Sequence, residues 1–191
     1  MSETPIRVYD VFDTLATDNT YDLLAQDNPE LCRQARENYT AVREQVIPHE
    51  ERYRKQGLVK TKLLPSVRFA LESAKSKGFA LGVFSSGTPD GIKRMLSEGG
   101  IDDLIDEQIS VDAIGKKDDS GTYRNLQLVL HCKGLTLASY ADDKVVFCKA
   151  AADAFWTPGE ELTTPRVYHV NSKKDPAPEN CIRVASIADI G

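Results

Sequence analysis

A chain of 191 residues suits one domain carrying a modest insertion, and its 41% hydrophobic and 28% charged residues lie close to the average for globular domains. No apolar run approaches the roughly 18 residues that a membrane-spanning helix needs, so such a helix is excluded. A net charge of −5 and an isoelectric point near 5.3 argue against a dedicated nucleic-acid binder, which would concentrate positive charge, and point to a small partner.

The first residues, Met1 to Pro5, carry an acid and no basic-then-apolar export pattern, so a cytoplasmic location is expected. Ile6 to Phe12 is rich in β-branched and aromatic residues and runs into Asp13-Thr14, which predicts a buried first strand entering a turn. From about Thr17 to Thr61 helix-favouring polar residues take over. Pro29, Pro48 and Gly57 punctuate them, which predicts two or three inserted helices. Pro65-Ser66-Val67 opens a helix with apolar Val67, Leu71 and Ala74, ended by Gly78, and Phe79 to Phe84 follows as a second buried strand.

The alternation continues. A helix is predicted over Pro89 to Ser97, a strand around Gln108 to Val111, a helix over Tyr123 to Cys132 and a strand over Leu135 to Ala141 that stops at Asp142-Asp143. Beyond Ala154, proline and glycine become frequent; Arg166 to Val170 and Cys181 to Val184 read as late strands, and Lys173 to Glu179 as a mobile loop. The pattern predicts an α/β fold: a doubly wound, Rossmann-like, mostly parallel sheet covered on both faces. Residues 1–16 and 62–191 would form its core, and residues 17–61 a small helical insertion after strand one. Cys32, Cys132, Cys148 and Cys181 are widely spaced with no CxxC pair, so free thiols are expected.

In such sheets ligands bind at the carboxyl ends of the strands. Asp10 ends strand one, Ser85-Ser86-Gly87 ends strand two, Lys116-Lys117 sits in a later loop, and Asp142-Asp143 ends another strand. Singly each has an ordinary reading: a turn acid, a strand-to-helix turn, a solvated lysine pair, a helix cap. Together they suit chemistry on an anion. A carboxylate at Asp10 can act as nucleophile. Ser85, with the amides of Ser86 and Gly87 before the helix at Pro89, can hold anionic oxygens. Lys117 can neutralise developing charge. Asp142 and Asp143 beside Asp10 would require a hard cation, and Mg²⁺ with oxygen ligands fits. His49, His131 and His169 lie in unrelated segments and read as structural or surface residues.

The order aspartate, serine, lysine, acids resembles the haloacid dehalogenase superfamily over nearly the whole chain. The run from Ser85 through Ile114-Gly115-Lys116-Lys117 to Tyr123 is locally similar to the enolase-phosphatase branch. The resemblance implies a hydrolase with Asp10, Ser85, Lys117 and Asp142 as catalytic residues. It implies Phe12, Ser86 and Gly87 as substrate contacts, and Mg²⁺ held by Asp10, the Phe12 carbonyl, Asp142 and Asp143. It makes residues 17–61 a cap, with Arg33, Arg36, Arg43, Arg52, Arg54, Tyr39 and Tyr53 as possible substrate clamps.

Two positions depart from the family pattern. Phosphatases of this superfamily carry a second acid two residues after the nucleophile, where this chain has Phe12; Asp13 would point to the opposite side of an extended segment. An acid four residues after Asp142 is replaced by Val146. Phe12 resembles the metal-independent 2-haloacid dehalogenases, whereas Asp142-Asp143 resembles the phosphatases. A Mg²⁺-dependent phosphatase acting on a small anionic substrate is the leading expectation. A dehalogenase, and a binding protein that has lost efficient turnover, are the alternatives.

Overall fold

The computed structural model describes residues 3–156, 164–171 and 177–191, so most of the loop expected over Lys173 to Glu179 lies outside the described residues. The chain divides into two compact units, Met1–Ala16 with Leu63–Gly191, and Thr17–Lys62.

The larger unit is built on a six-stranded, wholly parallel sheet. Its strands are β1 (Thr4–Tyr9), β4 (Ala80–Ser85), β5 (Glu107–Ser110), β6 (Leu135–Asp142), β7 (Arg166–Val170) and β8 (Cys181–Val184), in the order β5-β4-β1-β6-β7-β8. The chain runs from β1 to β4 and β5 on one side, then crosses back to β6, β7 and β8 on the other. The direction of winding therefore reverses between β1 and β6, the place where a doubly wound sheet opens a crevice. Two short strands outside the expected set, β2 (Ala16–Asp18) and β3 (Thr61–Leu63), form a separate two-stranded ribbon.

Alternation along the strands distributes two cores. Tyr9, Leu81, Val83 and Ala141 pack with Val67, Leu71 and Ala74 of α3 (Val67–Ser76) and Ile92, Met95 and Leu96 of α4 (Pro89–Glu98). Ile6, Val8, Phe84 and Tyr140 face the other way. They pack with Tyr123, Leu126 and Leu130 of α6 (Ser120–Cys132) and Cys148, Ala151 and Phe155 of α7 (Val145–Phe155). Val111, expected to end a strand, instead opens the four-residue helix α5 (Val111–Ile114), because the Ser110 hydroxyl oxygen accepts from the Asp112 N–H at 3.3 Å and caps it.

The smaller unit holds α1 (Thr20–Asp27) and α2 (Pro29–Lys55). Asn28 caps α2 ahead of Pro29, and the helix is interrupted at Asn38 (φ −152°, ψ 86°), whose side-chain oxygen accepts from the Ala41 N–H at 3.3 Å and restarts it. Pro48 does not end α2. Leu24, Leu31, Cys32, Ala35, Val46 and Tyr53 form this unit's own core. Gly57, at φ 68°, supplies the left-handed residue just past the end of α2.

Candidate active site

Strand parity decides which side chains can meet. Asp10 is the first residue past β1 and shares the parity of Ile6 and Val8; Asp142, at the end of β6, shares that of Tyr140. Both strands are centre strands and neighbours, with Tyr9 opposite Ala141 and the Asp10 N–H donating to the Ala141 carbonyl at 2.8 Å. The two carboxylates therefore emerge side by side over the α6/α7 face.

A lysine reaches them from the loop between α5 and α6. Gly115 turns that loop with φ 119°, and a Cβ there would stand 2.5 Å from the Thr122 hydroxyl oxygen, so the turn admits only glycine. Beyond it Lys116 faces solvent, while Lys117 is 1% exposed. Lys117 Nζ donates to Asp10 Oδ1 at 2.8 Å and to Asp142 Oδ2 at 2.5 Å. The rings of Phe147, Phe84 and Tyr140 surround the ammonium, their centroids 4.9, 5.5 and 5.6 Å away.

Asp142 is occupied on both oxygens. Oδ2 also accepts from the Tyr140 hydroxyl, and Oδ1 accepts from the Lys144 N–H at 2.8 Å. Asp143 differs: Oδ2 pairs with Lys144 Nζ at 2.9 Å, while Oδ1 is buried and has no hydrogen-bond partner among the described residues. The buried His169 ring places Nε2 3.1 Å from the Asp143 carbonyl, a contact that requires the Nε2–H tautomer and tethers this backbone. One carboxylate oxygen from each of Asp10, Asp142 and Asp143 lies within 4.8 Å of the others.

Crowding sets the charges. Burial pushes the Asp10 carboxyl up to about 7; Lys117 opposes the shift, and Asp142 and Asp143 add to it. Burial and Asp142 likewise push Asp143 up to about 6, against the pull of Lys144. Burial alone would lower Lys117, but Asp10 and Asp142 outweigh it and hold the ammonium at about 12. A permanently charged lysine thus stands between acids that repel one another, and a divalent cation on the unpartnered oxygen would relieve that repulsion.

Ser85 ends β4, beside β1, and is 3% exposed; its hydroxyl oxygen accepts from the Gly87 N–H at 3.3 Å. Ser86 and Gly87 are half-buried, and the Ser110 hydroxyl pins the Gly87 carbonyl at 2.8 Å. Thr88 then caps α4, so the turn leads directly into a helix N-terminus. Strand one is shorter than expected. It ends at Tyr9, and Phe12 makes an isolated bridge to Ala16 while its ring packs against the α3/α4 core. Asp13 adopts φ 54°, so the alternation expected of an extended segment does not hold there. Asp13 instead lines a cavity of about 750 Å³ together with Thr14, Ser66, Asp143, Lys144 and Asn171.

In the smaller unit Arg33, Arg36, Arg52 and Arg54 pair with that unit's own acids, Arg54 with Asp18 at 2.9 Å. The Tyr53 hydroxyl donates to Asp27 at 2.7 Å and the Tyr39 hydroxyl to Glu50 at 3.3 Å. His49 lies 3.1 Å from Arg52, and His131 pairs with Glu3 at the surface. Tyr140, Phe84, Phe147 and His169 are the neighbours of the acid cluster that residue types alone do not reveal. For Tyr140 a signal existed, since it precedes Asp142 by two residues on one strand and must share its face.

The family model for haloacid dehalogenase-like hydrolases matches residues 8–129. The chain belongs to this family. No curated protein matches the hydrolase in sequence. Among solved structures, it is similar to a dehalogenase in an intermediate complex, with TM-score 0.69 and 15% identity over 100% of this chain and 96% of that one. It is similar also to the L-2-haloacid dehalogenase of Xanthobacter autotrophicus with chloropropionic acid covalently bound (TM-score 0.66, 13% identity, 98% and 96% covered). A third is a haloacid dehalogenase-type phosphatase of Thermococcus onnurineus (TM-score 0.61, 14% identity, 97% and 95% covered). At these identities the likeness shows the fold, which hydrolases of carbon–halogen and of phosphate bonds share.

Proposed function

We propose that this hydrolase is a Mg²⁺-dependent phosphatase for a small anionic metabolite whose leaving group departs without a strong proton donor. The observation that carries the reading is the acid cluster: three carboxylates within 4.8 Å, one with a buried oxygen that no group among the described residues satisfies. Oxygen donors of this kind suit a hard cation, and Asp10 and Asp143 would hold it, with the Phe12 carbonyl as the further ligand implied by the family. Asp142 is already engaged by Lys117, Tyr140 and the Lys144 N–H. When bound, Mg²⁺ would supply charge neutralisation for the phosphoryl oxygens and keep Asp10 ionised.

Asp10 attacks phosphorus through one carboxylate oxygen; the new O–P bond forms as the bond to the leaving oxygen breaks, giving an aspartyl phosphate. Lys117 and the Ser85-Ser86-Gly87 turn hold the oxygens that gain charge. Water then attacks the intermediate, releasing phosphate and regenerating the Asp10 carboxylate. Phe12 offers no proton, so acyl phosphates, whose carboxylate leaves unaided, are the favoured class. Residues 17–61 serve as the cap in this reading.

Phe12 favours a second reading, in which Asp10 displaces halide from a 2-haloacid without metal. One assay separates the two: acetyl phosphate, p-nitrophenyl phosphate and L-2-chloropropionate, each with Mg²⁺ and with EDTA. Phosphate release that requires Mg²⁺ and disappears in Asp10→Asn is expected. Halide release that survives EDTA would replace this reading with the second.

A further inference from the structure

We propose that Tyr140 is a positioning residue that aims Lys117 through Asp142, an assignment that rests on the roles given above to Asp10 and Lys117. An ammonium carries three N–H donors. Lys117 spends one on Asp10 and one on Asp142, which leaves a single donor for an oxygen of the substrate. Where that third hydrogen points depends on how firmly its two partners are held.

Asp10 is anchored through its own N–H on Ala141. The Asp142 carboxylate could rotate about its side-chain bonds, and two contacts prevent it. The Lys144 N–H holds Oδ1, and the Tyr140 hydroxyl holds Oδ2, the same oxygen that receives Lys117. Tyrosine suits the task on geometric grounds. Residues two apart on a strand share a face and are separated by roughly 6.6 Å, about the reach of a tyrosine hydroxyl along the strand. The ring is fixed in turn by edge contacts with Tyr123, centroids 5.2 Å apart, and by Phe84 at 6.4 Å. It also stands 5.6 Å from Lys117 Nζ as one wall of the aromatic enclosure. Tyr140 therefore constrains the lysine twice, by its hydroxyl through Asp142 and by its ring directly.

Tyr140→Phe removes the hydroxyl and keeps the ring. With acetyl phosphate and Mg²⁺, kcat should fall about tenfold, the rate equivalent of one hydrogen bond to a charged group, with KM within about twofold. The side-chain ¹⁵N spectrum of lysine-labelled protein gives a readout that needs no turnover. The buried ammonium should give a slowly exchanging signal, assigned by its loss in Lys117→Met, and Tyr140→Phe should shift or broaden it while the melting temperature stays within about 5 °C. An unchanged Lys117 signal in Tyr140→Phe overturns the assignment, as does a larger loss of melting temperature, which would make Tyr140 a core residue only. A signal that moves in a protein unable to hydrolyse any phosphate would keep the positioning role and remove the phosphatase reading.

Discussion

Phe12 bears most directly on which bond is cleaved. Its ring is packed against the α3/α4 core, so the position two residues past Asp10 contributes apolar surface where phosphatases of the family place an acid. Phe12→Asp should raise the hydrolysis of an alkyl phosphate by about 10- to 100-fold relative to acetyl phosphate, because only the alkoxide needs a proton as it leaves. The substitution should also cost stability of about 1–3 kcal/mol for the lost packing. Steady-state rates on both substrates decide the matter, and an unchanged ratio would mean that leaving-group protonation is not what Phe12 removed. Asp13, though acidic and adjacent, faces a cavity shared with Asp143 and Lys144, and its left-handed backbone is one that aspartate tolerates in turns.

At the scale of elements, the loop that delivers Lys117 depends on one residue. Gly115→Ala would need both a strained φ and a shift of Thr122, so it should destabilise the protein by about 1–3 kcal/mol and lower kcat by displacing the lysine. Chemical denaturation and the acetyl phosphate assay would check the two effects; a variant with wild-type values in both would show that the loop adapts. The six strands of the main sheet, α3 and α4 were legible because apolar runs bounded by glycine, proline and acids leave few alternatives, whereas the order of the strands and the β2–β3 ribbon were not. Burial of single polar residues was not. Composition and periodicity do not distinguish Lys116 from Lys117, which only the family resemblance singled out, because the choice is made by the turn at Gly115 and by carboxylates 107 residues before and 25 after. The left-handed turn at Asp13 hid its direction for the same reason: parity holds only while the chain stays extended.

For the whole molecule, the acid cluster is expected to couple stability to pH and, through the proposed Mg²⁺, to metal. Asp10 and Asp143 have folded pKa values of about 7 and about 6, above the ordinary 3.8, so they favour the folded state at low pH and this contribution is lost as pH rises through those values. In EDTA the melting temperature should fall between pH 5 and pH 8 by about 2–8 °C more in the wild type than in Asp10→Asn. Millimolar Mg²⁺ should recover the difference at pH 8 and do little at pH 5, where protons already neutralise the acids. Scanning calorimetry reads both effects; identical pH slopes in the two proteins would show that Asp10 does not carry the linkage.

The ion cluster joins chain positions that no local folding event can bring together. Asp10, Lys117 and Asp142 meet only when β1, β6 and the α5–α6 loop have docked, so their pairing is expected late on the way to the native state. Contacts made that late leave the speed of folding almost untouched and govern instead how long the folded chain survives before it opens. The residues that would do the chemistry thus also act as the latch on the finished sheet.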